Sequence, residues 1–215
     1  MTTATATKYE VINYDLTGLV GLSDEQIAQH KTLYAGYVNN TNKLNDELSK
    51  MVAEGKADGM DPHFAELKRR LGFEYNGMRL HEFYFSNLKP NGGELPAGSA
   101  LAKAIEESFG SVENWKKDFM AVCKMRGVGW AILCQDPHTG KLADNWVTLH
   151  EDGNFAGFNP ILVIDIWEHA FTVDYKPTER AKYLDAVFQN INWAKVESRL
   201  VSGEAIAKAR QTVQI

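Results

Sequence analysis

Two long stretches carry apolar side chains at intervals of three and four, the period of a helix with one buried face. In the first, Ile27, His30, Tyr34, Tyr37, Thr41, Leu44 and Leu48 share a stripe. Ser23-Asp24-Glu25-Gln26 before it reads as a capping box, with Ser23 as N-cap and Gln26 at N3, so a helix is expected from about Asp24 to the Met51 region. A loop follows from Glu54 to Met60. Asp61 then serves as N-cap and Pro62 as first helical residue of a second helix. Its stripe runs Phe64, Leu67, Leu71, Tyr75, Met78, His81, Phe85 and Leu88, and Lys89-Pro90-Asn91-Gly92-Gly93 ends it. The two helices form an antiparallel hairpin, and each stripe holds one histidine.

The pattern then changes. Residues 97–109 and 112–126 read as two shorter helices, with Gly110 between them, Ser111 capping the second and Gly127 beyond its end. Gly129 to Gln135, a turn at Asp136 to Gly140, and Lys141 to His150 read as strand, turn, strand. Glu151 to Asn154 is another turn. After Asn159-Pro160, the apolar run Ile161-Leu162-Val163-Ile164 reads as a buried strand ending on Asp165. Tyr183, Leu184, Val187 and Phe188 suggest a helix from Thr178, and Asn192 caps a last one from Trp193. Residues 1–22 read as an irregular lead-in. The expected fold is α+β: an N-terminal helical hairpin over 1–95, then a C-terminal α/β domain over 96–215 with a three-stranded antiparallel sheet flanked by helices.

Asp165 brings chemistry into this picture. A carboxylate at the end of a buried strand must be paired, hydrogen-bonded or bound to a metal. His169 follows four residues later, so a tight turn would let the two converge. A carboxylate with imidazole suits manganese, iron or zinc; a buried Asp-His pair without metal accounts for the same residues. His30 and His81 each stand where a core leucine would be expected. Alone, either reads as a core histidine bonded to a backbone carbonyl. Together, on facing helices, they form the arrangement from which bundle cores build metal sites. His63 lies off its stripe and His138 lies in a turn, so both read as surface residues.

Composition narrows the class. The chain has 215 residues, 44% hydrophobic and 24% charged, with net charge −5. This argues against nucleic acid as a main partner. No apolar run approaches the ~20 residues of a membrane span, and Met1 to Lys8 carries no apolar leader. Cys123 and Cys134 lie in apolar surroundings without a C-x-x-C spacing, as buried thiols of a reducing compartment do. A cytoplasmic location is expected.

The string Asp165-Ile166-Trp167-Glu168-His169-Ala170 resembles the D-x-W-E-H-A signature of the iron/manganese superoxide dismutase family. Tyr37-Val38-Asn39-Asn40 with Asn42 resembles its first-helix segment, and Asn76-Gly77 through His81-Glu82-Phe83-Tyr84-Phe85 its second. Gly129-Trp130 and Asn192-Trp193 resemble its G-W and N-W pairs. The resemblance covers roughly Ser23 to the end. It implies one iron or manganese ion per subunit, with iron slightly favoured, held by His30, His81, Asp165 and His169 with solvent in a fifth position. Superoxide would be the substrate. It further implies that His150 is the partner of that solvent, because the alternative helix position is Gly77, which has no side chain. Tyr37 matches the gateway tyrosine, with Tyr34 as fallback, and Trp130 and Trp167 would wall the site. Glu168 would cross a subunit interface to the partner's metal-bound histidine, giving a homodimer or tetramer through the Glu168/His169 region. Arg180 is a loosely aligned candidate for steering the anion.

The chain departs from the family at several points. Seven residues rather than the usual eight separate His30 from Tyr37. Leu33 and Thr172 replace a histidine-tyrosine pair often found across the interface, and Phe85 replaces a tryptophan. The competing expectation is a protein of the same fold that acts structurally and lacks activity; loss of any one of the four donors would favour it. A zinc hydrolase is a third option, but zinc has no redox cycle and no hydrolytic base motif is present.

Overall fold

The computed structural model describes residues 8–212, with backbone alone at 207 and 209–212. Most of the stretch read as lacking an apolar leader, residues 1–7, lies outside the described residues. The hairpin forms as its caps and stripes dictate. α1 spans Asp24–Ala53, and the Ser23 hydroxyl accepts from the Gln26 N–H at 3.0 Å. α2 spans Pro62–Ser86, with the Asp61 carboxylate accepting from the His63 N–H at 3.0 Å. Each cap satisfies an amide left free in a first turn.

Two details of the hairpin differ from expectation. The capping box is only half made, because the Gln26 side chain does not turn back to Ser23; it is spent on the loop after His169. Tyr75, expected on the buried stripe, is 38% exposed, and Glu74 takes the inner position instead. That exchange is tolerated because Arg70 donates to the Glu74 carboxylate from one turn earlier.

α3 (Ala100–Phe109) and α4 (Val112–Cys123) follow, separated by Gly110 in the left-handed conformation with φ 83°. The sheet has β1 (Gly129–Gln135) at its centre, flanked by β2 (Leu142–Thr148) and β3 (Asn159–Asp165), all antiparallel. Every residue of β1 is buried, which explains its unbroken apolar run. Gly129 is required at its start: a Cβ there would sit 2.0 Å from the Val147 carbonyl oxygen. Pro160 is accommodated because β3 is an edge strand and the register shifts opposite it. Trp130 pairs in register with Asp165, which ties the middle of the sheet to the end of β3.

A 3-10 turn, Glu168–Ala170, follows β3. α5 (Arg180–Gln189) comes after a second such turn at Pro177–Glu179, and α6 (Trp193–Glu197) is capped by the Asn192 side chain. A further helix, α7 (Gly203–Thr212), was not anticipated from the sequence. The lead-in is irregular as expected, but it is not loose. Leu16, Leu19 and Leu22 are buried in the core, and Asn190 clasps Val20 through its N–H at 2.9 Å and its carbonyl at 2.8 Å. α2 lies between α1 and β3, so the hairpin and the sheet share one apolar core. Both cysteines are buried free thiols. No helix among the described residues is long and apolar enough to cross a membrane.

Candidate metal centre

His30 comes from α1, His81 from α2, Asp165 from the last position of β3 and His169 from the turn beyond it. One ligand atom from each lies within 4.8 Å of all the others. The three imidazoles converge on a single oxygen. Asp165 Oδ2 is 3.0 Å from His30 Nε2, 3.3 Å from His169 Nε2 and 3.7 Å from His81 Nε2. The other carboxylate oxygen is taken, since Asp165 Oδ1 accepts from the Trp167 N–H at 2.8 Å. The backbone carbonyl of Asp165 accepts from the Tyr183 hydroxyl at 2.8 Å.

Hydrogen bonding inside the protein does not account for this cluster. His81 Nδ1 donates to the Gly77 carbonyl at 2.6 Å, which leaves Nε2 as a lone pair turned into the cluster. Neither His81 Nε2 nor His169 Nε2 has a hydrogen-bond partner, though both are buried. Each such orphan costs about 1–3 kcal/mol. Burial drives the imidazoles of His30 and His81 below their ordinary range, so they are held neutral. For Asp165 burial acts to raise the carboxyl, but His169 and His30 outweigh it and hold the group ionised. Three imidazole nitrogens and one carboxylate oxygen around a common point are a donor set for a first-row transition ion, and such an ion would satisfy the orphaned nitrogens. The residues therefore fit a metal.

Aromatic rings enclose the donors. Trp130 meets His81 edge-on at 5.0 Å, Trp167 stacks on His169 at 5.6 Å, and Phe85 packs against His30 at 4.9 Å. His150 is fully buried beside this wall. Its Nδ1 accepts from the Trp130 indole N–H at 3.0 Å. Because the indole only donates, the imidazole proton sits on Nε2, which lies 2.7 Å from the Tyr37 hydroxyl oxygen. Burial pushes His150 down to about 4 and Tyr37 up to about 12, so both stay neutral.

The remaining residues singled out from the sequence divide clearly. Tyr34 stacks near His81, but its hydroxyl bonds Glu82 at 3.1 Å and the Ile12 N–H at 3.1 Å, outside the cluster. Glu168 is exposed. Leu33 is 43% exposed, and Thr172 is also at the surface. Arg180 is corrected: its guanidinium donates to the carbonyls of Lys124, Met125 and Gly127, ending α4 rather than lining the site. His63 is exposed and pairs with Glu47 at 2.9 Å; His138 is part-buried.

Sequence reasoning missed Gln26. It is fully buried, donates to the His169 carbonyl at 2.7 Å and accepts from the Val173 N–H at 2.9 Å. It thereby holds the turn carrying His169 against α1. Its only sequence signal, a glutamine at N3, is the same one that a capping box gives.

Comparison with known proteins agrees with this geometry. Residues 96–199 match the model of the C-terminal domain of iron/manganese superoxide dismutases. The chain is 40% identical to the Fe-type superoxide dismutase of Aquifex pyrophilus over 184 residues, 84% of this chain and 85% of that protein. It is 34% identical to the first Mn-type enzyme of Halobacterium salinarum over 196 residues, 89% and 94% of the two chains. It is 36% identical to the Fe-type enzyme of Cupriavidus metallidurans, over 86% and 91%.

Proposed function

The chain belongs to the iron/manganese superoxide dismutase family, and on that premise we propose that it disproportionates superoxide at an iron or manganese ion held by His30, His81, Asp165 and His169. The observation that carries the assignment is the convergence of three imidazoles on one carboxylate oxygen, with two of their nitrogens buried and unpartnered. The chemistry such an ion supplies is one-electron cycling, by which one superoxide is oxidised to dioxygen and a second, with two protons, is reduced to hydrogen peroxide. Loss of a donor would have favoured a structural protein without activity, and all four are together.

The chain's own residues supply orientation, dryness and proton placement. The Gly77 carbonyl fixes the tautomer of His81. The Trp167 amide restrains Asp165, leaving Oδ2 as the inward atom. Trp130 fixes His150 with its proton on Nε2, so that edge donates to the Tyr37 hydroxyl. The Tyr37 hydroxyl proton is then free to point away from His150. Trp130, Trp167 and Phe85 keep bulk water from the donors.

The outward side of His169 supports a homodimer or tetramer. Its side chain is 21% exposed, and Glu168, Thr172 and Val173 are exposed on the same turn. A second copy would bring its own Glu168 to this imidazole, as the outer partners of metal-bound histidines do. Two buried thiols fit a cytoplasmic location.

The test is metal analysis with superoxide decay measured after loading with iron or manganese. About one ion per subunit and decay far above the spontaneous rate are expected. A fully loaded protein that leaves the spontaneous rate unchanged would refute the assignment.

A further inference from the structure

Arg180 is held by the backbone carbonyls after α4, but another cation lies nearer to Tyr37 and His150, at the rim beside them. Arg70 stands there. Its guanidinium lies 4.3 Å from the centre of the Phe73 ring. That ring in turn lies 4.5 Å from the His150 ring and 6.2 Å from the Tyr37 ring. Behind the arginine, Glu74 accepts from Arg70 Nε at 2.7 Å and from Asn40 Nδ2 at 3.3 Å. The pair is polarised by burial: the Arg70 side chain is 50% exposed, that of Glu74 only 3%. An anion arriving from solvent meets the cation first and the carboxylate behind it. Glu151, against Gly72 on the same rim, adds a second carboxylate that makes an outward cation more consequential.

We infer that the Arg70–Glu74 pair sets how readily small anions enter the site, Arg70 drawing superoxide towards Tyr37 and His150 and Glu74 limiting that attraction. The inference rests on the assignment of the site to superoxide chemistry. Removing the cation alone leaves an uncompensated carboxylate at the rim and repels the substrate. Neutralising the carboxylate alone unmasks the cation and attracts it. A charge at about 10 Å through a mostly aqueous path changes encounter by about two- to fourfold. A role in packing alone would instead make both substitutions harmful.

The experiment compares metal-loaded wild type, Arg70→Gln, Glu74→Gln, the double variant and Arg70→Lys, each first checked by thermal melting. Two quantities are read at about 0.01 M and about 1 M salt, where screening lengths are about 30 Å and about 3 Å. They are kcat/KM for superoxide and the dissociation constant for azide, a small anion that undergoes no turnover. At low salt, Arg70→Gln should lower kcat/KM and weaken azide about two- to fourfold, and Glu74→Gln should do the opposite. The double variant and Arg70→Lys should stay near wild type, kcat should move less than kcat/KM, and all five proteins should converge at high salt. A folded Glu74→Gln that loses kcat/KM and azide affinity, or effects of the variants that survive high salt, would overturn the inference. Either result with an active wild type leaves the superoxide assignment standing, whereas an inactive loaded wild type refutes that assignment while the azide series still reports on Arg70 and Glu74.

Discussion

Replacing Gly77 by alanine tests whether the Tyr37–His150 arrangement depends on the missing side chain in α2. An alanine Cβ would lie 2.5, 2.7 and 3.0 Å from three carbons of the Tyr37 ring, where ordinary contacts are 3.4–4 Å. The ring must therefore recede by about 1 Å, and overpacking of this kind costs about 1–3 kcal/mol. It cannot recede freely, because His81, His150 and Phe73 surround it at 5.1, 4.8 and 6.2 Å between ring centres. Shifting it also breaks the 2.7 Å contact with His150, worth about 1 kcal/mol. Against these stands a gain of about 1 kcal/mol from placing alanine rather than glycine inside a helix. The net expectation is a loss of about 1–3 kcal/mol, seen as a melting temperature lower by roughly 2–12 °C for a chain of this size. Turnover should fall while metal content holds. The control is Gly77→Ala in a Tyr37→Ala background, where the ring is gone and alanine should stabilise by about 1 kcal/mol. If Gly77→Ala raises the melting temperature in the wild-type background, the close approach of Tyr37 to α2 is not what excludes a side chain there.

Three further outcomes follow from the same structure. His81→Ala should reduce bound iron or manganese well below one ion per subunit by elemental analysis and abolish superoxide decay above background, because one neutral donor is removed from a buried set. Gln26→Leu keeps bulk but loses two buried hydrogen bonds to residues 169 and 173, so stability should fall by about 1–3 kcal/mol and metal should exchange faster in a chelator competition. Asp144 is raised to about 8, first by burial and then by Asp118 beside it, while its Oδ2 has no hydrogen-bond partner. The folded state thus holds a proton that the unfolded chain releases near the usual carboxylate value of 3.8. Between that value and about 8 the folded state binds more protons, so this group's stabilisation is present at low pH and is lost as pH rises. Asp144→Asn, which keeps the acceptor for the Trp115 indole N–H, should therefore melt higher than wild type at pH 9, with the gap narrowing towards pH 5. A gap independent of pH would sink this account.

Much of the fold is written locally. Ser23, Asp61, Ser111 and Asn192 each cap the helix that follows, and the two stripes of α1 and α2 place His30 and His81 on buried faces without reference to the rest of the chain. The four donors are also visible as residue types: a carboxylate ending an apolar strand, a histidine one turn on, and one histidine per helix. What escaped were residues whose role depends on a polar partner, near or distant, that the apolar pattern does not name. Gln26 looked like half of a cap because its true partners lie 143 and 147 residues away. Tyr75 and Glu74 exchanged inside and outside because Arg70 can neutralise a buried carboxylate, which a hydrophobic pattern does not encode. Arg180 pointed to the substrate by alignment, but the open carbonyls after α4 claimed its guanidinium. α7 carries Ile206 as its one large apolar residue, too few to draw a stripe.

By itself, then, the sequence determined the helices and strands, which follow from propensities and periodicities acting within a few turns of chain, and offered His30, His81, Asp165 and His169 as candidate donors; that the four form one set was what the family resemblance implied. Tertiary structure alone decided that His30 and Asp165, 135 residues apart, meet at 3.0 Å, and that Trp130 orients His150 towards Tyr37. It also turned Arg70 rather than Arg180 to the rim of the site. The physical reason is that hydrogen bonds and charges act over a few ångströms in space, and only the packed core brings distant parts of the chain that close.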